Sequence, residues 1–269
     1  MPAETPVINN TVPHCRMIRL HGSAATGVVY RAEDTLMRLH QGRTLLFFSL
    51  IAGAISVLPE ADAQDLLNLN FRGHYRSKPK TSIVRRISTD AISTPTHYAS
   101  LANLLGVLPN DASMRQKYPD LNKPEVGFPQ KRETEELRNV EVDCWIHALK
   151  FEDGRQGKPG DNDLHVIIGS LPDTSESTYM TAEVSGLPAS GKNRPVLKEA
   201  RTKFLQIVQG LNPGTSFKQV FPAKKVRITG SLFFDGDHRA GCPSCPGPAW
   251  AKPESVWEIH PVYAIVEIQ

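Results

Sequence analysis

The chain has 269 residues, 40% hydrophobic and 22% charged, a balance that excludes a disordered or fibrous polymer and describes a globular protein. A formal net charge of +3, from 31 basic and 28 acidic residues, is too small to argue for a nucleic-acid partner on charge alone. With 21 Pro and 19 Gly, the composition predicts many turns and few long helices.

In chain order, the first patterned segment begins at Met37. A basic stretch ending at Arg43 is followed by an apolar run from Leu45 to Leu58 and then by Ala61-Asp62-Ala63, the three parts of a secretory signal peptide in order. The run is too short to cross a bilayer, which needs about 20 apolar residues. The expectation is that residues 37–63 are a signal peptide and that translation starts at Met37. Residues 1–36, which lack a sustained hydrophobic period, are then a mis-assigned N-terminal extension. The mature chain is expected to be periplasmic or extracellular, with no transmembrane segment.

Residues 64–138 carry Pro79, Pro95, Pro109, Pro119, Pro124 and Pro129 and little periodicity, so they are expected to be a mostly irregular lead-in. One short helix is predicted from Thr96 to Leu105, where Leu101, Leu104 and Leu105 share a side. Arg72, Arg76, Lys78, Lys80, Arg85 and Arg86 form a basic run with no acidic residue between them, which reads as a solvated tail. Its removal is expected to leave the following domain folded.

From residue 139 the pattern changes to period two. Val140, Val142, Cys144 and Ile146 alternate with polar residues, predicting a strand with one wet face. Further strands are predicted at Asp163–Ser170, Tyr179–Ser185, Lys225–Phe234 and Val256–Ile268, with an amphipathic helix over Pro195–Gln209. Three strands, a helix and two strands is the element order of an OB-fold, so residues 139–269 are expected to form a mainly β, five-stranded Greek-key barrel.

Four segments carry a resemblance: residues 160–169 (GDNDLHVIIG), 180–188 (MTAEVSGLP), 226–235 (VRITGSLFFD) and 257–265 (WEIHPVYAI). Together they resemble a group of exported bacterial proteins of unknown function. The resemblance implies an OB-fold-like C-terminal domain and secretion, and brings no activity, substrate or catalytic residue with it.

Candidate chemistry gathers on the predicted wet faces. Asp163 and His165 lie on one side of the second predicted strand, and Thr181, Glu183 and Ser185 on one side of the third, its expected neighbour. His260, and Asp235, Asp237 and His238 beyond the fourth strand, add imidazole and carboxylate. Asp163, His165, Glu183, His238 and His260 are candidate ligands of a divalent metal, and His165 with Glu183 could run general acid/base catalysis. The structural alternative is a hydrogen-bonded network in which Glu183 holds His165 across the strands.

Arg227, beside Asp163, His165, Glu183 and His260, completes the candidate ligand-binding set. Arg194, Lys198, Arg201, Lys203, Lys224 and Lys225 add charge, and strand aromatics including Trp145, Tyr179, Phe233 and Trp257 suggest a surface for single-stranded nucleic acid. Cys242 and Cys245 are expected to form a disulfide that stiffens a Pro-rich loop, leaving Cys144 as a buried thiol.

No metal-ligand motif of high specificity is present. The favoured function is therefore a non-catalytic binding module for a polar or anionic ligand. A metal-dependent, phosphodiesterase-like hydrolase using Asp163, His165, Glu183 and His260 is the alternative.

Overall fold

The computed structural model describes residues 20–24, 27–30, 65–73, 75–122, 129–158, 160–175, 177–238 and 245–269. The expected signal peptide lies outside them. The chain divides into two compact units, Met1–Val57 and Leu58–Gln269. The first contains an antiparallel pair, β1 (Leu20–Ala24) and β2 (Gly27–Tyr30).

The second unit opens with a helical turn, α1 (65–68), then α2 (Ser77–Lys80), β3 (Thr96–Tyr98), α3 (Leu101–Leu105) and α4 (Asp111–Lys117). β4 (Asn139–Phe151), β5 (Leu164–Gly169), β6 (Tyr179–Val184), α5 (Asn193–Ile207), β7 (Lys218–Phe234) and β8 (Trp257–Glu267) follow. The predicted helix at Thr96–Leu105 is thus a short strand followed by a helix. Ser100 ends the extended backbone and caps α3, its side chain accepting from the Asn103 amide.

One mixed sheet of six strands runs β3-β4-β5-β6-β8-β7, and β4 also pairs with β7, so β4, β5, β6, β8 and β7 form a ring of five. The β6–β8 pair is parallel and the other ring pairs are antiparallel. Alternation sorts the side chains: Leu164, Val166, Ile168, Met180, Ala182, Val184, Trp257 and Ile259 enter the main apolar core. Their neighbours Asp163, His165, Glu183, Glu258 and His260 take the other side of β5, β6 and β8.

Residues 65–138 are not a solvated tail. Leu66, Leu101, Leu104, Met114 and Leu121 are buried in the same core as the ring strands, and each fully buried aliphatic side chain stabilises by roughly 1.5–3 kcal/mol. Within the basic run Arg76 and Lys80 are buried, while Arg72, Lys78 and Arg86 stay exposed. Arg76 is fully buried and meets Glu136 in a two-pronged pair, Nη1–Oε1 and Nη2–Oε2 both 2.6 Å. The Arg76 Nη1 also donates to the Phe234 carbonyl (3.1 Å), and Glu136 Oε1 accepts from the Phe234 amide (2.8 Å). Arg85 donates to Asn193 (3.0 Å) and Arg86 to Thr94 (2.8 Å).

Two further arginines staple the segment down through backbone carbonyls. Arg132 donates to Pro79 (2.6 Å), Ser82 (2.9 Å) and His260 (2.8 Å), and also to Leu232. Arg201, on α5, donates to Leu66 (2.6 Å), Asn162 (3.0 Å), Val184 (3.0 Å) and Ser185 (2.9 Å). Together these contacts fix α2 against the outer face of β6 and β8.

Replacing one partner of a buried ion pair strands the other charge in a dry site. Arg76→Ala is therefore expected to destabilise the protein by about 3–5 kcal/mol in urea unfolding. The double variant Arg76→Met/Glu136→Met, which removes both charges, should recover most of that loss. A loss under about 1 kcal/mol for Arg76→Ala would contradict the docking described here.

Candidate metal centre

Strand register assembles the site. His165 on β5 stands opposite Glu183 on β6, and the parallel pairing of Thr181 with Glu258 brings Glu183 alongside His260 on β8. The turn into β5 is set by Asn162, at φ 71°, whose side chain accepts from the Gly154 amide (2.8 Å) and donates to the Asn70 carbonyl (2.7 Å). Asp163 Oδ1 accepts from the Gly186 amide. Glycine is required at 186, since a Cβ there would lie 2.8 Å from the Phe71 Cα and 3.1 Å from the Asp161 carbonyl oxygen.

The result is a chain of alternating carboxylate and imidazole. Glu152 Oε1 lies 3.5 Å from His165 Nδ1, which lies 2.9 Å from Glu183 Oε1. Glu183 Oε2 is 2.9 Å from His260 Nδ1, and His260 Nε2 is 3.1 Å from Asp163 Oδ2. The Glu152 side chain is 26% exposed, whereas those of Asp163 and His260 are 0% exposed, so the chain leads from the surface to a sealed interior. Glu258 Oε2 adds a branch, 3.5 Å from His260 Nδ1.

These approaches are short but not aligned as hydrogen bonds. Asp163 Oδ2, Glu183 Oε2, Glu258 Oε2 and both ring nitrogens of His165 and His260 are buried without a hydrogen-bond partner. Stranding a buried polar atom costs roughly 1–3 kcal/mol, more if it is charged. Asp163, Glu183 and His260 each offer a ligand atom, all within 4.8 Å of one another. The two shortest approaches, 2.9 Å from Glu183 and 3.1 Å from Asp163, run to opposite nitrogens of His260, so a single ion can use only one of them as an edge of its coordination sphere. An ion on one nitrogen of His260 leaves the other facing a carboxylate, the arrangement that fixes the tautomer of a ligating imidazole.

Lys80 closes the site from above. Its Nζ is 3.6 Å from Asp161 Oδ2 and 3.9 Å from Asp235 Oδ2, and 5.6 Å from the centroid of the Phe233 ring. Burial disfavours its charge, but Glu183, Asp235 and Asp161 hold the ammonium pKa well above its ordinary value. Burial likewise opposes the imidazolium of His165, yet Glu183 and Glu152 hold its pKa up at about 9. His260 is raised against its burial chiefly by Glu183. Burial, with Asp161 and Glu183 nearby, pushes the Asp163 carboxyl well above the usual range. Burial, with Glu183 and Asp235, does the same to Glu258. Glu183 goes the other way: burial opposes its ionisation, but His260, Lys80 and His165 drive it well below the usual range.

Of the residues expected at a site, Asp163, His165, Glu183 and His260 are brought together. His238 is not in this set; its Nε2 lies 3.7 Å from Asp235 Oδ2, in a neighbouring group with Glu258. Arg227 is spent elsewhere, pairing with Asp143 across β4 and β7 at 2.6 and 2.9 Å. Of the residues suggested for a nucleic-acid surface, Arg201 is buried, Trp257 is buried with its indole N–H on the Pro109 carbonyl (2.7 Å), and Phe233 packs against His260 and Lys80, whereas the Lys225 ammonium stands over the Trp145 ring at 6.0 Å.

Sequence reasoning missed Glu152, Asp161, Glu258 and Lys80. The i, i+2 spacing that singled out Asp163 and His165 applies equally to Asp161 with Asp163 and to Glu258 with His260, and was available. Cys242 lies outside the described residues; among those described, Cys144 is a buried free cysteine, its thiol pushed up by burial. No helix among the described residues is long and apolar enough to cross a membrane. Comparison of the chain with protein-family models, curated proteins and solved structures finds no match.

The raised imidazoles give the metal-free protein a pH signature. A histidine with a higher pKa folded than unfolded stabilises the fold below its unfolded value, and that contribution is lost as pH rises through the folded value. For His165 the interval runs from 6.5 to about 9. Chelator-treated protein is expected to lose stability across it in urea titrations, and His165→Gln to lose less. A flat wild-type profile would contradict the ion pairs of His165 with Glu183 and Glu152.

Proposed function

We propose that this protein is an exported, non-catalytic binding module of OB-fold-like architecture, and that what it binds is a divalent metal ion held by Asp163, Glu183 and His260. One observation carries the reading: ligating atoms of three buried side chains lie within 4.8 Å of one another, while Asp163 Oδ2, Glu183 Oε2 and both nitrogens of His260 lack hydrogen-bond partners. An ion would satisfy these atoms together; the 2.9 Å approaches of Glu183 to His165 and His260 are the alternative, ion-paired arrangement. The mixed carboxylate and imidazole donors suit zinc, manganese or another first-row divalent metal. The surplus of carboxylates argues against an anionic ligand at this face. The burial of Asp163, Glu183 and His260 supports a binding role over hydrolysis there, because a substrate needs an open coordination position.

The order of the ring strands, with α5 between β6 and β7, supports the OB-fold-like Greek-key reading of residues 139–269. Export belongs to the same proposal and rests on residues 37–63, with a Cys242–Cys245 disulfide as the expected consequence of an oxidising compartment.

Two measurements test it. The purified full chain, stripped and titrated with Zn²⁺ or Mn²⁺ by calorimetry, is expected to bind the ion and to gain about 2.7 kcal/mol of stability at an ion concentration of 100 times Kd. His260→Ala should remove the ion held by Asp163, Glu183 and His260, with the stability that ion adds, while circular dichroism shows the sheet intact. A folded wild-type chain that binds neither ion would overturn the metal reading. N-terminal sequencing of chain recovered after export is expected to begin at Gln64, and an uncleaved N-terminus would overturn the signal-peptide reading.

A further inference from the structure

Glu258 belongs to two groups of ligating side chains. On one side it approaches His260; on the other it joins Asp235 and His238, whose ligand atoms and its own lie within 4.8 Å of one another. The second group is built on a tight turn at the end of β7. The Asp235 amide donates to the Val256 carbonyl (3.0 Å), Asp235 Oδ1 accepts from the Asp237 amide (3.1 Å), and the His238 amide donates to the Asp235 carbonyl (3.3 Å). With Oδ1 engaged in the turn, Asp235 Oδ2 is left toward His238 Nε2 (3.7 Å) and Lys80 Nζ (3.9 Å). Glu258 is only 2% exposed, and its Oε2 has no hydrogen-bond partner.

Charge counting points the same way. Asp161, Asp163, Glu183, Asp235 and Glu258 are all buried, and Lys80 is the ammonium that closes on them. Metal ligation needs these carboxylates ionised; five of them against the Lys80 ammonium and the buried Arg201 guanidinium, which interacts with Asp163 and Asp161, leave three negative charges. Glu152 stands outside this count, because its partly exposed carboxylate has its own partner in Lys150 at 2.6 Å. Each uncompensated buried charge costs several kcal/mol. One divalent cation leaves part of that excess in place, and a second removes it with both histidines neutral, the form in which imidazole ligates metal.

We infer that Asp235, His238 and Glu258 hold a second divalent cation, and that Glu258 is shared between it and the ion at Asp163, Glu183 and His260. The sharing rests on the metal reading proposed above; the second group of ligands does not. The two positions differ in access. The first is sealed, whereas the His238 side chain is 27% exposed, so the second ion reaches solvent and keeps a position for water or for an oxygen of an incoming anion such as a phosphate.

The test uses the full chain and Mn²⁺ alone. Calorimetry is expected to give two ions per wild-type chain, and one each for His238→Ala and His260→Ala. Electron paramagnetic resonance is expected to show an exchange-coupled pair in the wild type, replaced in each variant by the six-line signal of isolated Mn²⁺. One wild-type ion that survives His238→Ala and is lost in His260→Ala overturns the second site and leaves the first standing. One wild-type ion with the opposite dependence overturns the first site and the shared carboxylate together. Two ions without coupling overturn the sharing by Glu258, and no ion in a folded chain overturns both sites.

Discussion

Burial of Lys80 above a cluster of carboxylates is the constraint on which the rest of this structure depends. An ammonium excluded from water is stable only where negative charge surrounds it, and the carboxylates beneath are stable only where positive charge reaches them. Asp161 and Asp235 flank the Lys80 Nζ at 3.6 and 3.9 Å, so neither side of the arrangement can be dry without the other. The lysine cannot be held there by those contacts alone. Arg76 with Glu136, and Arg132 with the carbonyls of Pro79, Ser82 and His260, fix the helix that carries it. Arg132 bonds both that helix and the backbone of His260, which couples the position of the lid to the position of a ligating side chain.

This coupling changes the nature of the strand face. A polar face on β5, β6 and β8 left open to water would be a surface on which an extended ligand could lie. Covered by Lys80 and the rest of α2, it becomes an interior in which unpaired polar atoms are costly. Interiors of that kind favour small, concentrated positive charge. In the metal-binding reading proposed above, ion capture and docking of α2 are linked, because ligands dispersed in the unfolded chain form a site only when the strands and α2 assemble.

The strands were legible because closing a ring of sheet imposes a period of two that a single sequence displays directly. Leu164, Val166 and Ile168 alternate with His165 and Ile167, and the same alternation sets Glu183 and His260 on the outer side. That period was enough to collect Asp163, His165, Glu183 and His260 before any contact was known. It failed for Arg227, because alternation gives a side but not a partner, and Asp143 lies on the neighbouring strand. It failed for His238 in a different way: proximity in sequence to β7 did not reveal that its turn faces Asp235 and Glu258.

The lead-in shows where local pattern stops carrying information. Its prolines and its basic run, Arg72 to Arg86, have the composition of a solvated tail. Yet Arg76 is fully buried and Lys80 is only 7% exposed. What decides their fate is the carboxylates of residues 136, 161 and 235, which are distant in the chain and invisible to any window around residue 80. The sequence by itself determined the mainly β class, the strand positions and the polar side of each strand, because those follow from the pleat and from hydrophobic burial. Only the tertiary structure decided that this side is covered, and that four approaches of imidazole to carboxylate within it are left without hydrogen bonds, because both outcomes depend on long-range charge pairing and packing.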